Sequence, residues 1–545
     1  MLFNSFEFAI FLPAFFVVYS LLRRRLKAQN TLILLASYLF YGWWDVRFLQ
    51  LIVISTAVDF LAALMIERGE VDRRLRMGAS AFVLAGGFLL IGVDWSGGLL
   101  SPTLFATSSA TWIVASCVVG VLVANASYAF LLRLSRETRR RACLTLSVVA
   151  NLGILATFKY FDFFAGSLSE LVQSTFGTTP SNWTLGFVLP VGISFYTFQT
   201  MSYSIDVYRG KTAACDRFVD VAAYVAFFPQ LVAGPIERAS QLLPQFQSPR
   251  PTLDQPRFRR GMWLIVWGLF KKMVVADNMA VIVNATFGPF DGGDFTLPPD
   301  GLTLLVALYA FAFQIYGDFS GYTDIARGVS KLLGFDLMRN FDLPYFATSP
   351  SDFWRRWHIS LSSWLRDYLY IPLGGSRKGA RRTYINLALT MVLGGLWHGA
   401  AWTFVVWGVL HGLMLVVYHA WSARFFPKGT ADSGKWVWTR RIVLFHLVCL
   451  GWLFFRANSL EQAGGMLVNL FAGWQWDAGA MNMAAALVLL CLPLWLVQML
   501  QVRTGDLEAP LGLSLVPRTA LVAAMAWMFV ALGNTGGGAF IYFQF

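Results

Sequence analysis

Phe6–Lys27 reads FEFAIFLPAFFVVYSLLRRRLK, an apolar run followed by Arg23, Arg24, Arg25 and Lys27 with no basic residue ahead of it. Such a run approaches the ~20 residues that cross a bilayer as a helix. Its positive charge comes after the apolar segment rather than before it, which marks a retained span and not a cleaved signal peptide. The positive-inside rule then puts the basic end in the cytoplasm and the N-terminus in the periplasm of a bacterial inner membrane.

The same pattern continues along the chain. Thr31–Trp44 and Phe48–Ile66 make an out-and-back pair that returns to the basic cluster Arg68–Arg76. Ala79–Trp95 and Trp112–Leu132 make a second pair, ending at Arg133–Arg141. Ser147–Phe164 leads out again, the poorly basic stretch Ser167–Gly186 reads as an outer loop, and Phe187–Ile205 returns to Arg209 and Lys211. The clusters agree on one orientation.

Composition supports this reading. Of 545 residues, 57% are hydrophobic and 13% charged, which excludes an ordinary soluble globule. Backbone polar groups left unpaired in hydrocarbon are costly, so spans must be helices or a closed barrel, and these runs are continuous rather than alternating. The expected fold is therefore an all-α polytopic transmembrane protein. The excess of 43 Lys and Arg over 30 Asp and Glu is distributed in short clusters between apolar runs, so it sets topology. No basic, aromatic-rich domain suited to nucleic acid is present, and the expected surroundings are membrane lipids. Cys117, Cys143, Cys215, Cys449 and Cys491 are scattered without a CxxC and carry no assigned chemistry.

Further along, Val219–Pro235 is apolar but interrupted by Pro229, Gln230, Gly234 and Pro235, which disfavours a straight helix and suggests a re-entrant segment. Lys271 and Lys272 break a long apolar pattern, the acidic loop Gly288–Gly301 suits the periplasm, and the basic stretch Arg355–Arg382 suits the cytoplasm. The chain leaves and returns before Arg440 and Arg441, and about three more apolar runs complete it.

Two stretches carry candidate chemistry. Phe353–Tyr370 reads FWRRWHISLSSWLRDYLY, and at helical spacing Trp354, Trp357, His358, Leu361, Trp364, Leu365 and Tyr368 share one arc. The spacing predicts one amphipathic interfacial helix whose basic face, with Arg355 and Arg356, can hold lipid phosphates or the anionic tail of a donor. A membrane-surface helix is the plainer role, but His358 on its apolar side is unusual there. In the second stretch, Tyr384–Leu396 is too short to cross the core as a helix, at ~20 Å. The turn holding His398 should therefore lie below the outer surface. Gly394, Gly395, Gly399, Ala400 and Ala401 allow close helix approach that would pack His398 into protein.

An ionisable side chain at such depth is a functional candidate, and neutral imidazole suits general acid/base work. His398 is accordingly read as the general base, the alternative being a packing histidine. His411, His419 and His446 are expected to pack or pair between helices, and without an HExxH or an i,i+4 histidine pair no metal is expected. GxSxG, Walker A and strand-following GxGxxG motifs are absent, so serine-hydrolase chemistry and ATP-driven transport lose support. Ser194–Gln199 and Gln314–Asp324 place hydroxyls, amides, Asp318 and Asp324 among apolar residues, as in the lining of a membrane cavity.

Taken in order, PVGISFYTF, FFPQLVAGPIER, YGDFSGYTDIARG, FWRRWHISLSSWLRDYLYIPLGG and LGGLWHGAAWTFVVWGVLHG resemble the membrane-bound O-acyltransferase (MBOAT) family, in its bacterial alginate O-acetylation branch. The resemblance is strongest from Phe187 to Gly412, with weaker matches at MLFNSFEFAIFLP and FIYFQF. It implies a fold of spanning, interfacial and re-entrant helices around a central tunnel. The chain then divides as one membrane domain, 1–545: N-terminal spans 1–186, a catalytic core 187–420 and C-terminal spans 421–545. The hairpin near 77–139 looks inserted relative to the family pattern.

By the same resemblance His398 matches the catalytic histidine and His358 the second characteristic polar position. The implied donor is cytoplasmic acetyl-CoA, a substrate rather than a bound cofactor. The implied partner is a periplasmic SGNH-type acetyltransferase or another polysaccharide-modifying protein. The acceptor is an exopolysaccharide hydroxyl or a serine of a partner protein. D-alanyl transfer from a carrier protein is the nearest alternative, followed by a polysaccharide transporter, which usually shows related halves, and a non-catalytic scaffold.

Overall fold

The computed structural model describes residues 1–95, 103–105, 107–177, 184–288, 300–425, 436–534 and 540–541. These gather into two compact units, Met1–Leu253 with Leu333–Leu337, and Asp254–Leu332 with Met338–Phe545. Among the described residues nine helical stretches are long and apolar enough to cross a bilayer. The chain is a multi-pass, helical membrane protein.

The first unit contains α1 (Phe6–Leu21), α2 (Leu26–Gly42), α3 (Leu49–Arg68), α4 (Arg73–Gly87), α5 (Ser108–Arg133), α6 (Arg136–Leu155), α7 (Phe161–Phe176), α8 (Ile193–Tyr208), α9 (Phe218–Val225) and α10 (Ala239–Gln247). Short polar side chains start several of them. Ser5, Asp72, Thr107 and Ser135 each accept a backbone N–H of the first turn, satisfying a donor that the helix itself cannot. A two-residue antiparallel bridge, Val93–Asp94 on Thr103–Leu104, links α4 and α5.

Three boundaries differ from the sequence expectation. α6 and α7 are joined by a π turn, Ala156–Tyr160, into one helical stretch, Arg136–Phe176. Part of the expected outer loop after Ser167 is therefore helix, and residues 178–183 lie outside the described ones. α8 begins only at Ile193, because Pro190 and Gly192, at φ 75°, end the extended entry. Val219–Pro235 forms the short helix α9 and then turns, with every residue from Asp220 to Ala239 buried. Most of the acidic loop Gly288–Gly301 also lies outside the described residues.

The core of this unit is polar at its centre. Asp59 on α3 is fully buried and accepts from Ser147 on α6, from Ser204 on α8 at 2.7 Å, and from Asn151 Nδ2 at 2.8 Å. In hydrocarbon such interhelical hydrogen bonds each contribute about 0.6 kcal/mol on average, but they also fix register.

The second unit contains α11 (Gln255–Leu269), α12 (Asp277–Phe287), α13 (Gly301–Leu332), α14 (Pro350–Arg356), α15 (Ile359–Leu365), α16 (Gly379–His398), α17 (Trp402–Phe425), α18 (Val437–Arg456), α19 (Leu460–Leu470), α20 (Ala478–Thr504), α21 (Ala509–Gly512) and α22 (Leu515–Leu532). Lys271 and Lys272 do not break the chain's helical path. They sit in a π turn, Phe270–Ala276, between α11 and α12 and are aimed at α13.

Lys271 Nζ lies 2.6 Å from Asp324 Oδ2 and donates to Ser320 Oγ at 2.9 Å. Lys272 Nζ bridges Asp277 at 2.8 Å and Asp318 at 2.9 Å. The carboxylates expected to line a cavity are thus neutralised by lysines in the packed interior, where unpaired charge is costly.

Candidate active site

His358 and His398 lie in the second unit, and two helices arising from one turn bring them together. The segment Ile371–Lys378 separates the helical stretch Ile359–Tyr370 from α16. Asn386 of α16 donates to Gly375 O at 2.9 Å and clasps that turn. At ~1.5 Å per residue the first stretch carries the chain about 18 Å from the turn and α16 about 30 Å. His358 and His398 mark their far ends, with ring centroids 6.5 Å apart.

The geometry revises two expectations. Phe353–Tyr370 is not one helix. It breaks at Trp357–His358, where His358 adopts φ 44°, ψ 53°, the left-handed conformation that ends α14 and starts α15 in a new direction. Of the expected arc, Trp357, His358, Leu361, Trp364 and Leu365 are buried, but the break divides them between two helix directions. Nor is His398 deep because its helix is short. α16 runs the full Gly379–His398, so His398 lies ~24 Å along the axis from Arg382.

Close packing buries His398 instead. A Cβ on Gly395 would lie 2.2 Å from Phe404 O, and one on Gly408 would lie 2.5 Å from Met391 O, so α16 and α17 meet backbone to backbone. The imidazole of His398 is 4% exposed and walled by Trp397, Trp407 and Phe455, with ring centroids at 5.1, 5.0 and 5.3 Å.

His358 is fully buried, edge-on to Phe319 at 4.7 Å and to Trp397 at 5.7 Å. Its tautomer follows from its neighbours. Asn340 Oδ1 accepts from Ser360 Oγ at 2.9 Å and from Ser360 N at 3.2 Å, which identifies that atom as oxygen. His358 Nδ1, 3.1 Å from the same oxygen, must then carry the proton, leaving Nε2 as the acceptor. The Asn340 carbonyl also accepts Ile359 N at 2.9 Å and holds the strained turn.

The other candidates are placed more plainly. Arg356 pairs with Asp352 at 2.8 Å and also donates to Asp342 O, while exposed Arg355 donates to Ser351 O at 3.2 Å. His411 is buried against Trp407, Trp354 and Phe353, His446 contacts Tyr309 Oη at 2.7 Å, and His419 packs on Tyr384.

Asn340, Ser360, Phe319, Trp407 and Phe455 are site residues that sequence reasoning did not identify. Asn340 precedes His358 by 18 residues in an irregular segment, so no periodicity connects them. The one available sign was polar Asn340 set beside apolar Phe341.

Two buried histidines at helix ends, one with a fixed neutral tautomer, define a membrane-embedded site suited to proton transfer. The model of MBOAT, the membrane-bound O-acyltransferase family, matches residues 216–457. The chain belongs to this family and is an O-acyltransferase.

Among its relatives, a protein of Azotobacter vinelandii named probable alginate O-acetylase AlgI is 39% identical over 88% of this chain and 80% of its own length. A peptidoglycan O-acetyltransferase of Helicobacter pylori is 32% identical over 85% of this chain and 78% of its own. A teichoic acid D-alanyltransferase of Streptococcus thermophilus is 29% identical over 49% of this chain and 68% of its own.

Proposed function

We propose that this chain moves an acetyl group from cytoplasmic acetyl-CoA across the bacterial inner membrane for O-acetylation of an exopolysaccharide. The observation that carries this reading is the pairing of buried His358 and His398 rings at 6.5 Å. His398 takes the proton of an acceptor hydroxyl arriving from the periplasm. The hydroxyl oxygen attacks the thioester carbonyl carbon, the C–S bond breaks, and the departing thiolate recovers the proton from His398. His358, neutral with Nε2 as acceptor, suits receiving a hydrogen bond from the hydroxyl and orienting it. It lacks the donor that an oxyanion requires.

Arg355 and Arg356 are proposed to hold the donor's phosphates, with Arg355 the more available because Arg356 is paired with Asp352. A periplasmic SGNH-type acetyltransferase is the proposed partner, and a periplasmic N-terminus is proposed from the basic residues Arg23–Lys27 that follow the first apolar run. Acetyl transfer is preferred to D-alanyl transfer because the acetylase relatives match along most of this chain, and the D-alanyltransferase along about half.

The test uses sealed vesicles carrying the purified chain and its partner, loaded with acceptor polysaccharide and given labelled acetyl-CoA outside. Label on lumenal polymer is expected. Polymer flux without label would support the transporter reading, and undiminished transfer in His358→Ala and His398→Ala proteins would support the scaffold reading.

A further inference from the structure

The first unit carries a feature that acyl transfer leaves unused. Between α3, α6 and the α4–α5 hairpin lies a groove of about 1460 Å³. That exceeds the ~300–1,000 Å³ typical of a small-molecule pocket. Its walls are largely apolar, with Ile54 and Leu61 on one side and Ile113 and Val121 on the other. Gly120 of α5 lines it with nothing within 4 Å of the position a Cβ would take. Asn125 donates to Ser80 Oγ at 3.1 Å and to Val121 O at 2.9 Å, so these polar side chains of the wall are already engaged with the wall itself.

One end is cationic. Arg76 lines the groove with its guanidinium 3.9 Å from the centroid of the Tyr128 ring, and Tyr128 Oη is fixed by Val71 N at 3.0 Å and Val71 O at 3.1 Å. The guanidinium of Arg139 packs against nearby Gly69. Among the described residues neither arginine is paired with a carboxylate. Glu137 takes Arg140 and Arg141, Asp216 takes Arg68, Asp72 caps α4, and Glu67 accepts Ala214 N. A long apolar channel with the Arg76 guanidinium in its wall and that of Arg139 beside the adjoining turn at Gly69 fits an amphiphile with an anionic head. A partner helix would satisfy the walls but leave that charge unanswered.

We propose that this groove binds one anionic glycerophospholipid, its phosphate on Arg76 and Arg139 and its acyl chains between α3 and α5. The proposal is independent of the catalytic reading.

Native mass spectrometry of the full chain, with phosphatidylglycerol or phosphatidylethanolamine added to the detergent, tests it. One phosphatidylglycerol per chain should be retained in preference to phosphatidylethanolamine. Arg76→Ala with Arg139→Ala should weaken retention about 30-fold, from the attraction of two basic side chains to an anionic head. Arg76→Lys should retain it, and Gly120→Phe, which fills open space, should expel both lipids. Thermal melting in detergent restricts the comparison to folded variants. Equal retention of the two lipids, unchanged retention in the double or the Gly120→Phe variant, or a stoichiometric membrane protein bound in place of lipid would each overturn the proposal.

Discussion

A histidine that orients a hydroxyl must offer it a lone pair, and at His358 that requirement falls on Asn340. The Asn340 side-chain oxygen is fixed by Ser360 and in turn keeps the proton on His358 Nδ1. Asn340→Leu preserves volume while removing this control, and should lower kcat by about 10²-fold, the usual range for a misplaced acid–base group, with KM for acetyl-CoA unchanged. Steady-state kinetics in proteoliposomes would read both quantities.

At the scale of elements, α16 and α17 work as a pair. Their contact depends on missing side chains, since a Cβ at Gly395 would meet Phe404 O at 2.2 Å. Gly395→Ala should push the helices apart, cost about 1–3 kcal/mol and displace His398, so that melting temperature and activity fall together. A stable but inactive protein would point to catalysis alone.

This pair was legible beforehand because small residues at i,i+4 report a close interface regardless of helix length. The ends of α16 were not legible, because Arg381 and Arg382 read as loop although they belong to its first turns. The break at His358 was hidden for a related reason. The helical periodicity of Phe353–Tyr370 runs unbroken through the sequence, while the left-handed turn that interrupts it is held by Asn340, remote in the chain. Likewise Lys271 and Lys272 read as interruptions, although a π turn directs both to Asp324 and Asp318.

For the molecule as a whole, the multi-pass helical character was written into apolar run lengths, which the bilayer thickness translates almost directly into spans. Pairings between distant polar groups were not, as Asp59 with Ser147, Asn151 and Ser204 illustrates, because helical period says nothing about which faces meet. That both imidazoles are buried was partly legible, since ionisable groups stand out in a hydrophobic chain, but their proximity required the fold. The central claim is that His398 is the base of acyl transfer. Single-turnover transfer from acetyl-CoA by His398→Gln protein, folded and inserted as the parent, tests it most directly. The rate should fall by at least about 10²-fold across pH 6 to 9, and transfer at the parental rate would contradict the assignment.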